Sequence, residues 1–189
     1  VLPPHVNESE SGFTVIEGNL RFGLLAVKNL GKGLINFLIE ERNKYGKFKS
    51  FYDFCKRVNG KDMNKRALES LIRCGALDGL GANRHQMLKI YSSVIDSLEA
   101  QKKKNIEGQL GFFDNIESSQ EVIELPNVEE LSVSELLTME KETTGIYLSG
   151  HPMSKYENLI KTGNFDKISD FIAEGSYFDE KKVKILSVI

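Results

Sequence analysis

The sequence predicts a mainly α-helical protein: a paired helical module, then a linker, then a small helical connector ending in one strand. Three observations carry this. Apolar residues recur at three- and four-residue spacing through most of residues 20–104. Two Gly-x-Gly hairpins, Gly31-Lys32-Gly33 and Gly79-Leu80-Gly81, interrupt that periodicity. Both the periodicity and the charge balance change after residue 105. The 189 residues are 40% hydrophobic and 28% charged, enough apolar content for a modest core and too much for wholesale disorder.

Residues 1–20, rich in Pro, Asn, Ser and Gly, read as an extended lead-in with a short strand pair around Phe13-Thr14-Val15-Ile16. Leu20, Leu24, Leu25 and Val27 form a short helical set that stops at Asn29-Leu30-Gly31-Lys32-Gly33. A helix from Leu34 to Lys44 follows, with Leu34, Ile35, Leu38 and Ile39 on one face and Gly46 as its stop. Ser50 and Asp53 form a variant capping box for a helix to about Val58. Asn64 caps the next, with Leu68, Leu71 and Ile72 in register up to Cys74. After Gly79-Leu80-Gly81 comes the longest helix, roughly Asn83 to Lys104, striped by Met87, Tyr91, Val94, Ile95 and Leu98.

Residues 105–131 lose the helical period and read as a linker. Ser132 and Glu135 form a capping box for a helix to about Thr144. Two short helices are expected near Ser154–Lys161 and Lys167–Ala173, and alternation from Lys182 to Ile189 reads as a strand. The resulting division is a lead-in (1–20), a two-hairpin domain (21–104), a linker (105–131), a helical connector (132–175) and a terminal strand (176–189). The start, Val1-Leu2-Pro3-Pro4, lacks Met and a secretory pattern, which predicts a piece of a longer chain. No run of eighteen apolar residues occurs, so no membrane partner is expected. Cys55 and Cys74 have neither CxxC spacing nor a nearby His pair; reduced thiols in a cytoplasmic protein are the expectation.

The formal net charge of -2 conceals an asymmetry. Residues 1–105 carry 18 Lys and Arg against 11 Asp and Glu; residues 106–189 carry 7 against 16. The basic part suits a polyanion, and the acidic part would be repelled by it. Two glycines two apart permit a tight turn and let a phosphate approach the backbone. The helix that follows presents unpaired N–H groups and its positive dipole end. Gly31, Lys32, Gly33, Gly79 and Gly81 are therefore candidate phosphate-contact residues, with Asn83 and Arg84 just after the second hairpin. Such contacts touch the nucleic-acid backbone and carry no sequence information. The first working turn is either Asn29-Leu30-Gly31 or Gly31-Lys32-Gly33; Lys65, Arg66 and Arg73 widen the basic face or are simply solvated.

Gln109-Leu110-Gly111-Phe112-Phe113 is an apolar island in a polar, acidic stretch. Its large side chains dock either on this protein or in a partner's groove, with Gln109 fixing direction and Phe112 and Phe113 filling a pocket.

Several stretches together resemble the alpha subunit of bacterial DNA polymerase III, the C-family replicative polymerase. They are Val1-Leu2-Pro3-Pro4, Phe22-Gly23-Leu24 with Ala26-Val27-Lys28, Asn64-Lys65-Arg66 with Leu71-Ile72, Gly75-Ala76-Leu77-Asp78 with Gly81, and Gly145 to Pro152 (GIYLSGHP). The resemblance covers almost the whole chain. It implies the end of the fingers, a tandem helix-hairpin-helix domain and the approach to an OB-fold, whose first strand would be the terminal one. It implies that the hairpins hold duplex DNA. It also implies that Gln109, Leu110, Phe112 and Phe113 form the peptide that binds the beta sliding clamp, with other replicase subunits as further partners. Gly111 stands where Ser or Asp is commoner, and His5 where Asp is usual; His5 is assigned no role.

Polymerase chemistry requires paired carboxylates for two metal ions, Mg2+ in the parent enzyme. No Asp-x-Asp pair occurs in this sequence. Glu129, Glu130, Glu140 and Glu142 read as surface charge, and His5, His85 and His151 are scattered. No catalytic residue, metal site or cofactor is therefore expected here: the chain should bind and not polymerise. Two rival readings are a helix-hairpin-helix repair enzyme of the glycosylase type, for which Asp96 is the acid within reach, and a protein-interaction scaffold.

Overall fold

Helices dominate wherever the sequence carries a three-to-four apolar period. The computed structural model describes residues 1–60, 63–106, 124–166, 168–169 and 182–187. Strands β1 (Thr14–Ile16) and β2 (Asn19–Arg21) pair antiparallel, with Thr14 opposite Arg21, around a turn in which Glu17 and Gly18 both have positive φ. The helices are α1 (Lys32–Tyr45), α2 (Phe51–Val58), α3 (Lys65–Arg73), α4 (Arg84–Ile106), α5 (Val133–Thr144) and α6 (Glu157–Thr162). Short 3-10 turns cover Leu24–Ala26 and Pro152–Tyr156. Two compact units result, Val1–Leu148 and Ser149–Ile189.

The helix starts are chemically specified. Ser50 Oγ accepts from Asp53 N at 3.1 Å, and Asp53 Oδ2 accepts from Lys49 N at 2.9 Å. Asn64 Oδ1 accepts from Ala67 N at 2.9 Å. Ser132 and Glu135 make the full reciprocal box. The apolar stripes then meet in one core. Leu34, Ile35 and Leu38 come from α1, Phe54 and Val58 from α2, Leu68, Leu71 and Ile72 from α3, and Met87, Ile95 and Leu98 from α4. Each fully buried side chain of this size contributes roughly 1.5–3 kcal/mol over an exposed one. Cys55 and Cys74 belong to the same core, where burial pushes both thiols up to about 12.

Three expectations need correction. Leu20 lies in β2, not in a helix, and Leu25 is exposed; only Leu24 and Val27 of that set are buried. A four-residue stretch bounded by Gly23 is too short to pay nucleation, so the chain takes one 3-10 turn. Residues 1–10 are not merely a lead-in. Val6 is fully buried and its N–H donates to Ala76 O at 2.9 Å, while the buried Arg42 guanidinium donates to Val6 O and Ser9 O. Third, residues 182–187 are not a strand. Among the described residues no strand lies beside them to complete a ladder; instead Asp166 N donates to Lys184 O and Lys184 N to Asp166 Oδ2, both at 2.9 Å. The helix expected over Lys167–Ala173 lies largely outside the described residues.

Candidate nucleic-acid interface

The first bend is built on an asparagine. Asn29 takes a left-handed φ of 64°, which Asn tolerates better than most residues, and its Nδ2 donates to Ser70 Oγ at 2.9 Å. Leu30 is buried beneath the bend. Gly31, with φ of -81°, is the N-cap of α1, and Lys32 and Gly33 form its first turn. The bend itself is therefore Asn29-Leu30-Gly31, the first of the two registers the sequence allowed, and Gly33 is a helical residue. Gly31, Lys32 and Gly33 are all exposed. Gly31 has no side chain to cap with, and among the described residues no side-chain hydrogen bond closes this end of α1. A cavity of about 260 Å³ opens beside the bend, lined by Asn29, Arg66, Glu69, Ser70, Arg73 and residues of α5.

The second bend has the expected backbone: Gly79 and Gly81 have φ of 80° and 83° and are exposed. Here glycine is required, because a Cβ at such φ values is strained. The helix that follows, however, is already capped. Asn83 and Gln86 exchange hydrogen bonds, Asn83 N to Gln86 Oε1 at 3.0 Å and Gln86 N to Asn83 Oδ1 at 2.7 Å. The Glu130 carboxylate accepts from Arg84 N at 2.9 Å and from His85 N at 3.0 Å. The segment before it is bound as well. Gln86 Nε2 donates to Pro126 O, Asn83 Nδ2 to Val128 O, and His85 Nδ1 to Glu129 O. The latter part of the expected linker is thus a strap across the start of α4. Partial burial would raise the Glu130 pKa, but the Arg84, Leu131 and His85 N–H donors outweigh it and hold it below the usual carboxylate range. Its contribution is present above the ordinary pKa and is lost as pH falls through the lowered one.

Arg84 is not a surface cation. It is 5% exposed, donating from Nε to Asp78 Oδ1 at 2.9 Å, from Nη2 to Asp78 Oδ2 at 2.7 Å and from Nη1 to Glu140 Oε1 at 3.0 Å. Glu140 is fully buried and its other oxygen accepts from Leu148 N at 2.9 Å. Burial alone would lower the Arg84 pKa; Asp78 and Glu140 outweigh it and hold it above its ordinary value. Gly75, φ 78°, leaves the room this guanidinium occupies, since a Cβ there would fall on Arg84. So Glu140 is a core ion-pair partner rather than the surface charge expected of it, while Glu130 is exposed as expected and also caps a helix. Glu142 does lie at the surface, paired with Arg73. His5, given no role by the sequence, donates from Nε2 to Asp78 O at 3.1 Å and accepts Asn7 N–H at Nδ1, which ties the first residues to the second bend.

Of the flanking basic residues, Lys65 pairs with Asp96 at 2.7 Å and Arg73 with Glu69 and Glu142, while Arg66 is exposed. Asp96 is exposed on α4 and lines no part of the cavity beside the first bend. Among the described residues, no three His, Cys, Asp or Glu side chains converge as metal ligands. None of the described helices is long and apolar enough to cross a membrane. Gln109, Leu110, Phe112 and Phe113 lie outside the described residues.

Comparison with known proteins accounts for this architecture. A family model described as a helix-hairpin-helix motif matches residues 1–87, which include both bends. The chain is 38% identical over 176 residues to the DNA polymerase III subunit alpha of Deinococcus radiodurans, covering 92% of this chain and 13% of that protein. It is 36% identical over 178 residues to the subunit of Borreliella burgdorferi, covering 92% and 16%, and 32% identical over 192 residues to that of Mycobacterium leprae, covering 100% and 16%. The chain thus spans only about one seventh of the length of these relatives. Two helical bends of this geometry, and relatives that agree from one end of the chain to the other, place it in the DNA polymerase III alpha-subunit family.

Proposed function

We propose that this chain holds duplex DNA by its phosphate backbone without reading sequence, and tethers its polymerase to a sliding clamp, so that synthesis is processive. The observation that carries the DNA reading is the first bend. Exposed Lys32 and the exposed start of the 14-residue helix α1, which no side chain among the described residues caps, offer N–H donors and a positive dipole end to a phosphate. Gly79 and Gly81 add exposed main chain at the second bend. Gln109, Leu110, Phe112 and Phe113 supply the clamp peptide. Two modest contacts on one chain reinforce each other through effective concentration. In the whole protein this stretch would serve a cytoplasmic DNA-directed DNA polymerase, a nucleotidyltransferase that uses Mg2+ elsewhere and works with other replicase subunits. Lacking paired aspartates, the stretch alone is expected to be inactive.

Duplex titration over a range of salt tests the DNA reading. Lys32→Ala should flatten the slope of log K against log salt by about one unit; an unchanged slope would remove Lys32 from the interface. Gly31→Val adds bulk at an extended φ with nothing within 4 Å of the new Cβ, so the fold should tolerate it. It should weaken binding to every duplex alike, by roughly tenfold or about 1.4 kcal/mol. A loss that varied with sequence would contradict backbone recognition.

A further inference from the structure

We infer that the end of α1 and the loop joining it to α2 form a contact for an unpaired nucleic-acid strand, in which Lys44, Lys47 and Lys49 meet phosphates and the Tyr45 ring stacks on a base. This contact goes beyond the duplex grip proposed for the bends and uses none of its residues.

The charge here is unbalanced and outward. From Asn43 to Tyr52 the chain carries three lysines and no carboxylate. Lys44, Lys47 and Lys49 are all exposed, and among the described residues none of them makes an ion pair. Lys44 also suits the negative end of the α1 dipole, but Lys47 and Lys49 lie beyond the helix. The nearest flanking carboxylates, Glu41 and Asp53, are both held by Arg57; Glu40, one turn before Lys44, is exposed and not paired with it. Arg57 also draws the loop's acceptors inward. Its guanidinium donates to Glu41 O at 3.1 Å, Gly46 O at 3.0 Å and Lys47 O at 3.4 Å, and lies 4.3 Å from the Phe48 ring centroid. Phe48 is buried between two exposed lysines, and its main chain exchanges hydrogen bonds with the Asn7 side chain at 2.8 and 3.0 Å. The carbonyls of Gly46, Lys47 and Phe48 are thus bound, and the loop is fixed with its cations in solvent. A fixed cationic surface whose acceptors are turned away attracts a polyanion with little ordering cost.

Tyr45 selects among polyanions. It keeps 62% of its surface in solvent, and the Lys44 ammonium lies 4.9 Å from its ring centroid. With more than half of the residue exposed, one face of the ring is open even where the ammonium covers the other. An exposed ring among lysines suits a single strand, whose bases are free to stack on it; the bases of a duplex are already stacked on each other. An acidic protein segment would use the lysines and leave the ring idle. The first bend and this contact lie at opposite ends of the 14-residue α1, about 21 Å apart, so a DNA with a paired and an unpaired part can engage both.

The test uses the 189-residue chain. Its probes are a labelled oligothymidylate of about 16 nucleotides, a blunt duplex of the same length, and polyglutamate as competitor. Tyr45→Ala should weaken oligothymidylate binding about tenfold and leave blunt-duplex affinity unchanged. Tyr45→Phe, which keeps the ring, should bind the single strand as the parent chain does. Lys47→Ala with Lys49→Ala should flatten the single-strand salt slope by about 1.4 units, and Lys89→Ala, which removes an exposed lysine from α4, should leave it unchanged. Polyglutamate should compete only weakly. The single-strand contact is overturned if the parent chain does not bind oligothymidylate, if Tyr45→Ala binds it as well as the parent, or if loss of the ring weakens duplex and single strand alike. It is also overturned if polyglutamate displaces the strand as readily as unlabelled oligothymidylate does, which would make an acidic protein segment the occupant. Failure of the duplex reading looks different: blunt duplex is then not bound, or its salt slope ignores Lys32→Ala, while the Tyr45 dependence of single-strand binding stands.

Discussion

Replacing Glu140 by alanine should lower the stability of the chain by about 3–5 kcal/mol, the usual result of breaking a buried ion pair from one side. Glu140 is fully buried, and it is the second carboxylate on an Arg84 guanidinium that is itself 5% exposed. Its loss leaves Arg84 paired with Asp78, a carboxylate that is itself about half exposed, and with Arg73 O at 3.4 Å, and it removes the acceptor of Leu148 N–H. Urea unfolding followed by circular dichroism reads the effect as a fall in midpoint with little change in slope. A drop below about 1 kcal/mol would mean that water replaces the carboxylate at no great cost, contrary to the burial seen here. The double replacement Arg84→Met with Glu140→Leu should recover part of the loss, because apolar groups of similar volume remove the unmet charges together. Duplex binding should follow stability in these variants rather than fall independently, since neither side chain reaches the surface.

Replacing Phe112 and Phe113 together by alanine should abolish clamp binding, at a cost of roughly 2 kcal/mol or more, while duplex affinity is unchanged. The expected size follows from the chemistry of the motif. Two adjacent aromatic rings in an otherwise polar stretch supply most of the apolar area that a bound peptide can bury. Gln109 and Leu110 contribute direction and a smaller apolar contact. Titration of purified clamp by calorimetry, with the duplex titration run in parallel, separates the outcomes. Loss of clamp binding alone supports a tether. Equal loss of both affinities would make the two rings part of the fold, and unchanged clamp binding would remove them from the tether.

These two expectations depend on different levels of organisation. The proposed clamp motif is read from five consecutive residues, Gln109 to Phe113, and most helix boundaries were legible in line as well. Ser50, Asn64 and Ser132 act through hydrogen bonds to main chain three residues away, so their roles are written within a four-residue window. The stripes of α3 and α4 were legible for the same reason, since a helical period places Leu68, Leu71 and Ile72 on one face whatever they later meet. The second bend was legible as Gly79-Leu80-Gly81, because positive φ is a property of the glycines themselves. At the first bend the local signal was divided. Asn29 takes the left-handed conformation with support from Ser70 in α3, a partner 41 residues away, so the residues in line left two registers open.

The sequence by itself determined the order of the helices α1 to α5, the caps of α2, α3 and α5, the place of the two bends, the charge division and the family. Each of these is set by chemistry acting over a few residues or by motifs read in line. Only the tertiary structure decided which charges are available. Arg84 looked like a phosphate contact and is buried between Asp78 and Glu140; Glu140 looked like solvated surface and is fully buried; His5 looked idle and ties the first residues to Asp78. The reason is physical. A charge is identical in sequence whether water or a carboxylate 56 residues away satisfies it, and desolvation and pairing energies exist only once the chain has brought the two groups together.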